Sequence, residues 1–112
     1  MLPGGSETDN LVNAAVFEKL GSSGVFINVG RGNSVDEVAL AHALKTNQIY
    51  AAGLDVYKKE PEIPEELKNL DNIVLLPHIG SATVETRRAM GDMVLDNLAA
   101  FFSGRDLVSE VD

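Results

Sequence analysis

Cysteine and tryptophan are both absent from this 112-residue sequence, basic residues are few, and no hydrophobic run is long. Each shortage excludes something. Without a thiol there is no disulfide framework, no thiolate metal site and no cysteine nucleophile. Nine Lys plus Arg against seventeen Asp plus Glu give a formal net charge of -8. That is a poor match for phosphate backbones, whose nonspecific affinity comes from cationic contacts that release counterions. No apolar run approaches the roughly 18 residues of a membrane span. The opening MLPGGSETDN has neither the basic nor the apolar region of a secretory signal. The expectation is a cytoplasmic chain with no nucleic-acid or membrane partner and no bound metal. What is present, 45% apolar residues, suits one modest core, because a domain this small buries only about two thirds of its unfolded surface.

The apolar residues fall into three short runs, Val25–Val29, Ile49–Leu54 and Ile73–Leu76. None alternates cleanly, which predicts strands of a parallel sheet buried on both faces. Between them lie helix signals. Asn13 can cap a helix over Ala14–Leu20, with Val12 and Phe17 at staple spacing and Gly21 as the stop. Ser34 and Glu37 have capping-box spacing ahead of an apolar face of Leu40, Ala41 and Leu44, and Asn47 suits a left-handed stop. Strand, helix, strand with tight connections is the βαβ unit, with a right-handed crossover. After Asp55, Pro61 and Pro64 break an acidic stretch into a loop with at most a helical turn near Glu65–Asn69. From Thr83 to Ser103, Met90, Val94, Leu98 and Phe101 form the stripe of a long helix that Gly104 ends. The fold class is therefore α/β, with three parallel strands, crossover helices and a long C-terminal helix.

Each apolar run is followed by a different ionisable residue: Arg31 after Val29, Asp55 after Leu54 and His78 after Leu76. In open α/β sheets the carboxyl ends of the strands border the ligand crevice, so parallel strands gather these three at one edge. An arginine fork suits a carboxylate, a histidine carries a transferable proton near neutral pH, and a carboxylate beside the imidazole favours its charged form. Taken singly, each has a plainer reading. Arg31 between glycines suits a surface turn, Asp55 a strand-end cap, and His78 a packed histidine. Glu60 belongs to an acidic run with Glu62, Glu65 and Glu66, most of it a solvated face. His42 reads as structural or solvent-facing, and Met90 with Phe101 and Phe102 as core or interface. The coincidence of three complementary groups at one edge is what favours a site.

The strings INVGRGNSVDE (27–37), GLDVYKKEP (53–61) and LLPHIGSAT (75–83) resemble, in order and separation, the signatures of the D-isomer-specific 2-hydroxyacid dehydrogenases, particularly the glyoxylate and hydroxypyruvate reductase branch. LPGGSET near the start, and ETRRAM and NLAAFFSG in the last helix, fit the same pattern. The resemblance implies a Rossmann-like doubly wound sheet, NAD or NADP as cofactor, and reduction of a small 2-keto acid such as glyoxylate or hydroxypyruvate. It implies that Arg31 clamps the substrate carboxylate and carbonyl, that His78 is the proton donor and that Glu60 pairs with it. It assigns Asp55 to the nicotinamide side, and Val29, Arg31, His78 and Gly80 to further cofactor contacts. The proton donor is worth about 10² to 10⁴ in rate, and Glu60 would keep it charged.

Two departures qualify the match. Family members run to about three times this length, and the G-x-G-x-x-G fingerprint is absent, since Gly30-Arg31-Gly32 lacks its third glycine. The resemblance therefore covers the carboxyl-side half of a cofactor domain (residues 1–82) and a helix and tail toward a substrate domain (83–112). The implied partners are the amino-terminal portion of the same enzyme and a second copy in a homodimer. The chain alone is expected to be inactive and prone to aggregate. A dinucleotide-sensing module like the co-repressors of this fold is the alternative; LPGG and GRGNSVDE favour metabolism. Glu60 argues against the formate dehydrogenase branch, and phosphite oxidation is a minor possibility.

Overall fold

The computed structural model describes residues 4–110, so Leu2 and Pro3 of the LPGGSET string lie outside the described residues. The chain forms two compact units, Met1–Gly80 and Ser81–Asp112. The first holds α1 (Ala14–Leu20), β1 (Val25–Asn28), a 3₁₀ turn (Gly32–Ser34), α2 (Glu37–Lys45), β2 (Ala51–Leu54), α3 (Glu65–Lys68) and β3 (Ile73–Leu75). The second holds α4 (Val84–Phe102).

The three strands make one parallel sheet in the order β1-β2-β3, with Val25 beside Ala51 and Ala52 beside Ile73. Each strand is shorter than its apolar run. Ile49 belongs to the connection, fully buried with its amide on Ala43 O, and the strand begins two residues later. Val29 and Leu76 lie just beyond β1 and β3, where the chain turns toward the sheet's carboxyl edge.

The helix signals form largely as the sequence predicts. Asn13 Oδ1 accepts from Ala15 N at 3.1 Å, Phe17 is fully buried, and Val12 packs on the same core. Gly21 and Asn47 both take positive φ, 76° and 54°. The capping box does not form. Asp36 is the N-cap of α2, its Oδ1 accepting from Val38 N and Ala39 N, while Ser34 sits in the 3₁₀ turn with its hydroxyl on Arg31 O at 2.7 Å. Glu37 instead accepts from Lys58 N at 2.8 Å, tying the loop after β2 to the start of α2. A carboxylate one residue before the helix satisfies two free amides directly, which outcompetes the more distant serine.

The core unites Phe17, Val35, Leu40, Leu44, Ile49, Leu54 and Leu67 on one face of the sheet. Burial on both faces, expected from the unbroken apolar runs, is not what the first unit shows. Phe26 and Ala52 face the core, whereas Val25, Ile27 and Val74 are more than half exposed. Within the first unit the helices pack on one face only.

In the second unit, Thr83 Oγ1 caps α4 through Thr86 N, and Gly104 follows at φ 67°. The stripe of Met90, Val94, Leu98 and Phe101 is present, but each of these residues is about half exposed or more. Met90, Phe101 and Phe102 are therefore not core among the described residues; Ala100 is the one buried residue described on this helix.

Candidate active site

The residues that follow the three strands are placed by hydrogen bonds that the strand ends themselves provide. After β1, Asn28 is buried despite its polarity, and its side chain holds the turn from both sides. Its Oδ1 accepts from Gly30 N at 3.0 Å and its Nδ2 donates to Arg31 O at 3.1 Å. Arg31 is thereby projected outward, with Nη1 donating to Gly30 O at 2.8 Å and no ion pair among the described residues. The next residue, Gly32, lies so close to the main chain of Tyr57 and Lys58 that a β-carbon would overlap the Tyr57 carbonyl. Only glycine lets the loops after β1 and β2 meet there.

After β2, Asp55 is buried and both of its oxygens are engaged. Oδ1 accepts from Ile79 N at 2.8 Å and Oδ2 from Gly80 N at 2.7 Å. These amides immediately follow His78, whose φ of 56° is a left-handed conformation that a side chain with a β-carbon seldom adopts. Such strain persists only where surrounding contacts hold it, and the Asp55 clamp is one of them.

After β3, Pro77 leads into His78, which is half exposed. Its Nδ1 lies 2.7 Å from Glu60 Oε2, and the other Glu60 oxygen accepts from Tyr57 N at 3.0 Å. The Glu60 carboxyl is held below its usual value of 4.5, chiefly by the His78 hydrogen bond and then by the Tyr57 amide, with the Arg31 charge adding to the effect. Desolvation opposes this but does not win. Arg31, Glu60 and His78 therefore lie in one electrostatic neighbourhood. Tyr57, Glu60, Pro61, Ile63, Pro77 and His78 line a small cavity of about 120 Å³ beside the pair.

Of the residues singled out from sequence, Arg31, Asp55, Glu60 and His78 all stand at this carboxyl edge. Glu60 is drawn out of the acidic run by two specific bonds, whereas Glu62, Glu65 and Glu66 are not. His42 faces solvent on α2. Asn28 and Tyr57 were missed, though each carried a signal: a polar residue inside VFINV, and an aromatic two residues after Asp55.

A dinucleotide fits these residues along one side only. Val29, Gly53, Asp55 and Leu76 are among those lining an apolar depression of about 400 Å³ on the open sheet face, a wall suited to a planar ring. The G-x-G-x-x-G turn that cradles a pyrophosphate is absent from the given sequence.

Comparison with known proteins agrees with this geometry. The family model described as "D-isomer specific 2-hydroxyacid dehydrogenase, NAD binding domain" matches residues 1–80. The hydroxyphenylpyruvate reductase of Plectranthus scutellarioides is 52% identical over 105 residues, covering 94% of this chain and 34% of that protein. A glyoxylate/hydroxypyruvate reductase A of Arabidopsis thaliana is 51% identical, again over 94% of this chain and 34% of its own length. Among solved structures, the NADPH-dependent glyoxylate/hydroxypyruvate reductase of Sinorhizobium meliloti, crystallised with NADP and malonate, superposes with a TM-score of 0.95 at 50% identity. It covers 99% of this chain and 35% of that one. The chain spans about a third of the length of the relatives it matches. With the family model covering most of its length and the strand-end geometry in agreement, the chain belongs to the D-isomer specific 2-hydroxyacid dehydrogenase family, as part of its NAD binding domain.

Proposed function

We propose that this chain is the proton-donating side of an NAD(P)-dependent reductase of small 2-keto acids, with glyoxylate or hydroxypyruvate as substrate. The observation that carries the reading is the 2.7 Å contact between His78 Nδ1 and Glu60 Oε2 at the sheet's carboxyl edge, within reach of the Arg31 charge. The names of the relatives support the substrate class, and the family's description supports the cofactor.

The chemistry assigned to each residue follows from its surroundings. With Nδ1 held by Glu60, Nε2 on the far side of the ring is the nitrogen left to act. Glu60 fixes the ring plane, so the proton is presented in one direction. Reduction builds negative charge on the keto oxygen, and His78 relieves it by giving up its Nε2 proton. Arg31 is exposed and in no ion pair among the described residues, so its fork is available to hold the substrate carboxylate against the repulsion of an acidic protein. Val29 and Arg31 through their main chain, with Asp55, His78 and Gly80, would border the nicotinamide side of the cofactor. When bound, the nicotinamide supplies the hydride. The phosphate-binding and substrate-gripping parts come from the rest of the enzyme, so this polypeptide alone is inactive.

The test is His78→Gln in the whole enzyme, assayed with glyoxylate and hydroxypyruvate and either reduced nicotinamide cofactor. Glutamine keeps polar volume but cannot act as an acid, so kcat is expected to fall by about 10² to 10⁴. Unchanged turnover would refute the acid role. Dinucleotide binding without turnover in the unaltered enzyme would point to a sensing module instead.

A further inference from the structure

Tyr57 bonds both to Glu60 and to the strand end two residues before His78. Its amide donates to Glu60 Oε1 at 3.0 Å. Its phenol, buried with the rest of the side chain, lies 2.8 Å from Leu76 O and 3.3 Å from Leu54 O. One hydroxyl carries one proton, and Leu54 O already accepts from Leu76 N at 2.8 Å, so the shorter bond to Leu76 O takes it. Leu76 O is the last carbonyl before Pro77 and His78, and proline offers no amide to secure the turn from its own side. The phenol stays protonated throughout the neutral range, because burial, and then the Asp55 charge, raise it above its ordinary value.

We propose that Tyr57 is a positioning residue for proton transfer: its hydroxyl anchors the strand end that carries His78 while its amide anchors Glu60, so that one side chain and its own backbone set the spacing of the pair. The inference rests on the proposed role of His78 as acid. It goes further by assigning the alignment to a residue that touches neither substrate nor the histidine ring by a hydrogen bond. Asp55 secures the same turn from its other end, through Ile79 and Gly80, so the segment carrying His78 is held before and after the histidine. The other charges near this assembly are Arg31, which acts on Glu60, and Glu37, which acts on Tyr57; neither bonds to the phenol.

The decisive variant is Tyr57→Phe in the whole enzyme, which keeps the ring and removes only the anchoring hydroxyl. Misplacement of an acid by a fraction of an ångström is costly, so kcat should fall about tenfold. KM for the keto acid and Kd for the cofactor should stay within about twofold, because the phenol contacts neither. A role confined to stability would instead lower the unfolding temperature and leave kcat alone. The second arm is a cycle with Glu60→Gln: if Tyr57 acts through the pair, adding Tyr57→Phe to that background costs under about twofold, whereas an undiminished tenfold loss overturns the proposal. Fluorinated tyrosines at position 57 retain the hydroxyl even should phenylalanine not fold there. A kcat that follows their donor strength supports the anchor, and a flat series overturns it. His78→Gln separates the two levels. Activity retained there defeats the acid role itself, while an inactive His78→Gln beside a fully active Tyr57→Phe defeats the positioning role alone.

Discussion

The Gly80 amide lies 2.7 Å from Asp55 Oδ2, and a β-carbon on Gly80 would come 2.8 Å from that same oxygen. The two residues are fitted to each other with no room for a methyl group, and the fit closes the turn in which His78 takes a left-handed backbone. Asp55 is only 3% exposed and its second oxygen is held by Ile79 N, so it cannot swing aside. Gly80→Ala should therefore cost about 1 to 3 kcal/mol of stability, as overpacking of a tight site does. Asp55→Asn should cost a similar amount by a different route, since an asparagine nitrogen must face one of two amide donors and leave it unmatched. Because both substitutions break one contact, the double variant should lose clearly less than the sum. Thermal unfolding of the four proteins measures this; strict additivity would mean that the contact does not form.

Glu60 gives a pH dependence whose sign is set by the direction of its shift. Its carboxyl is lowered in the folded protein from the ordinary 4.5, first by His78 and next by the Tyr57 amide. A depressed acid contributes stability that is fully present above the unfolded value and lost as pH falls through the folded one. Wild type should then exceed Glu60→Gln in unfolding temperature by more at pH 7 than at a pH below the folded value, and the gap should narrow through the acid range. The effect is modest, because the Glu60 side chain is 35% exposed and water screens it. A gap independent of pH between 7 and 3 would show that the charged form of Glu60 gains nothing from the fold.

The strand ends were legible because parallel strands convert position in a run into position in space: Arg31, Asp55 and His78 each follow an apolar segment, and one sheet edge gathers them. Helix punctuation was legible for the same kind of reason, since Asn13, Asn47 and Gly104 act on their own neighbours. What the sequence hid were partnerships across the fold. Nothing local marks Glu60 out from Glu62, because its two bonds come from a residue three positions away and another eighteen away. Ser34 and Glu37 satisfied a local pattern, yet Glu37 found the Lys58 amide and Asp36 took the cap. The open sheet face was equally hidden, for an apolar run shows that a strand can be covered on both sides without showing what covers it.

That open face has a consequence for the polypeptide taken alone. Val25 and Ile27 on β1 and Val74 on β3 are 53%, 60% and 61% exposed, and they flank Gly53 of β2, whose lack of a side chain leaves them one apolar surface. A patch of this kind on a small acidic domain favours association, because burying it against a second surface removes apolar area from water without disturbing the core beneath. The 112-residue polypeptide should therefore sediment as a concentration-dependent mixture and bind a hydrophobic dye. The pair of substitutions Ile27→Lys and Val74→Lys should shift it toward monomer while changing unfolding stability by no more than about 1 kcal/mol, as expected for side chains outside the core. Leu54→Lys, aimed at the covered face where Leu54 is 3% exposed, should instead unfold the domain. A wild-type polypeptide that stays monomeric at the highest concentrations reached in the ultracentrifuge, or a double lysine variant that associates as strongly as wild type, would mean that this face is not what drives association.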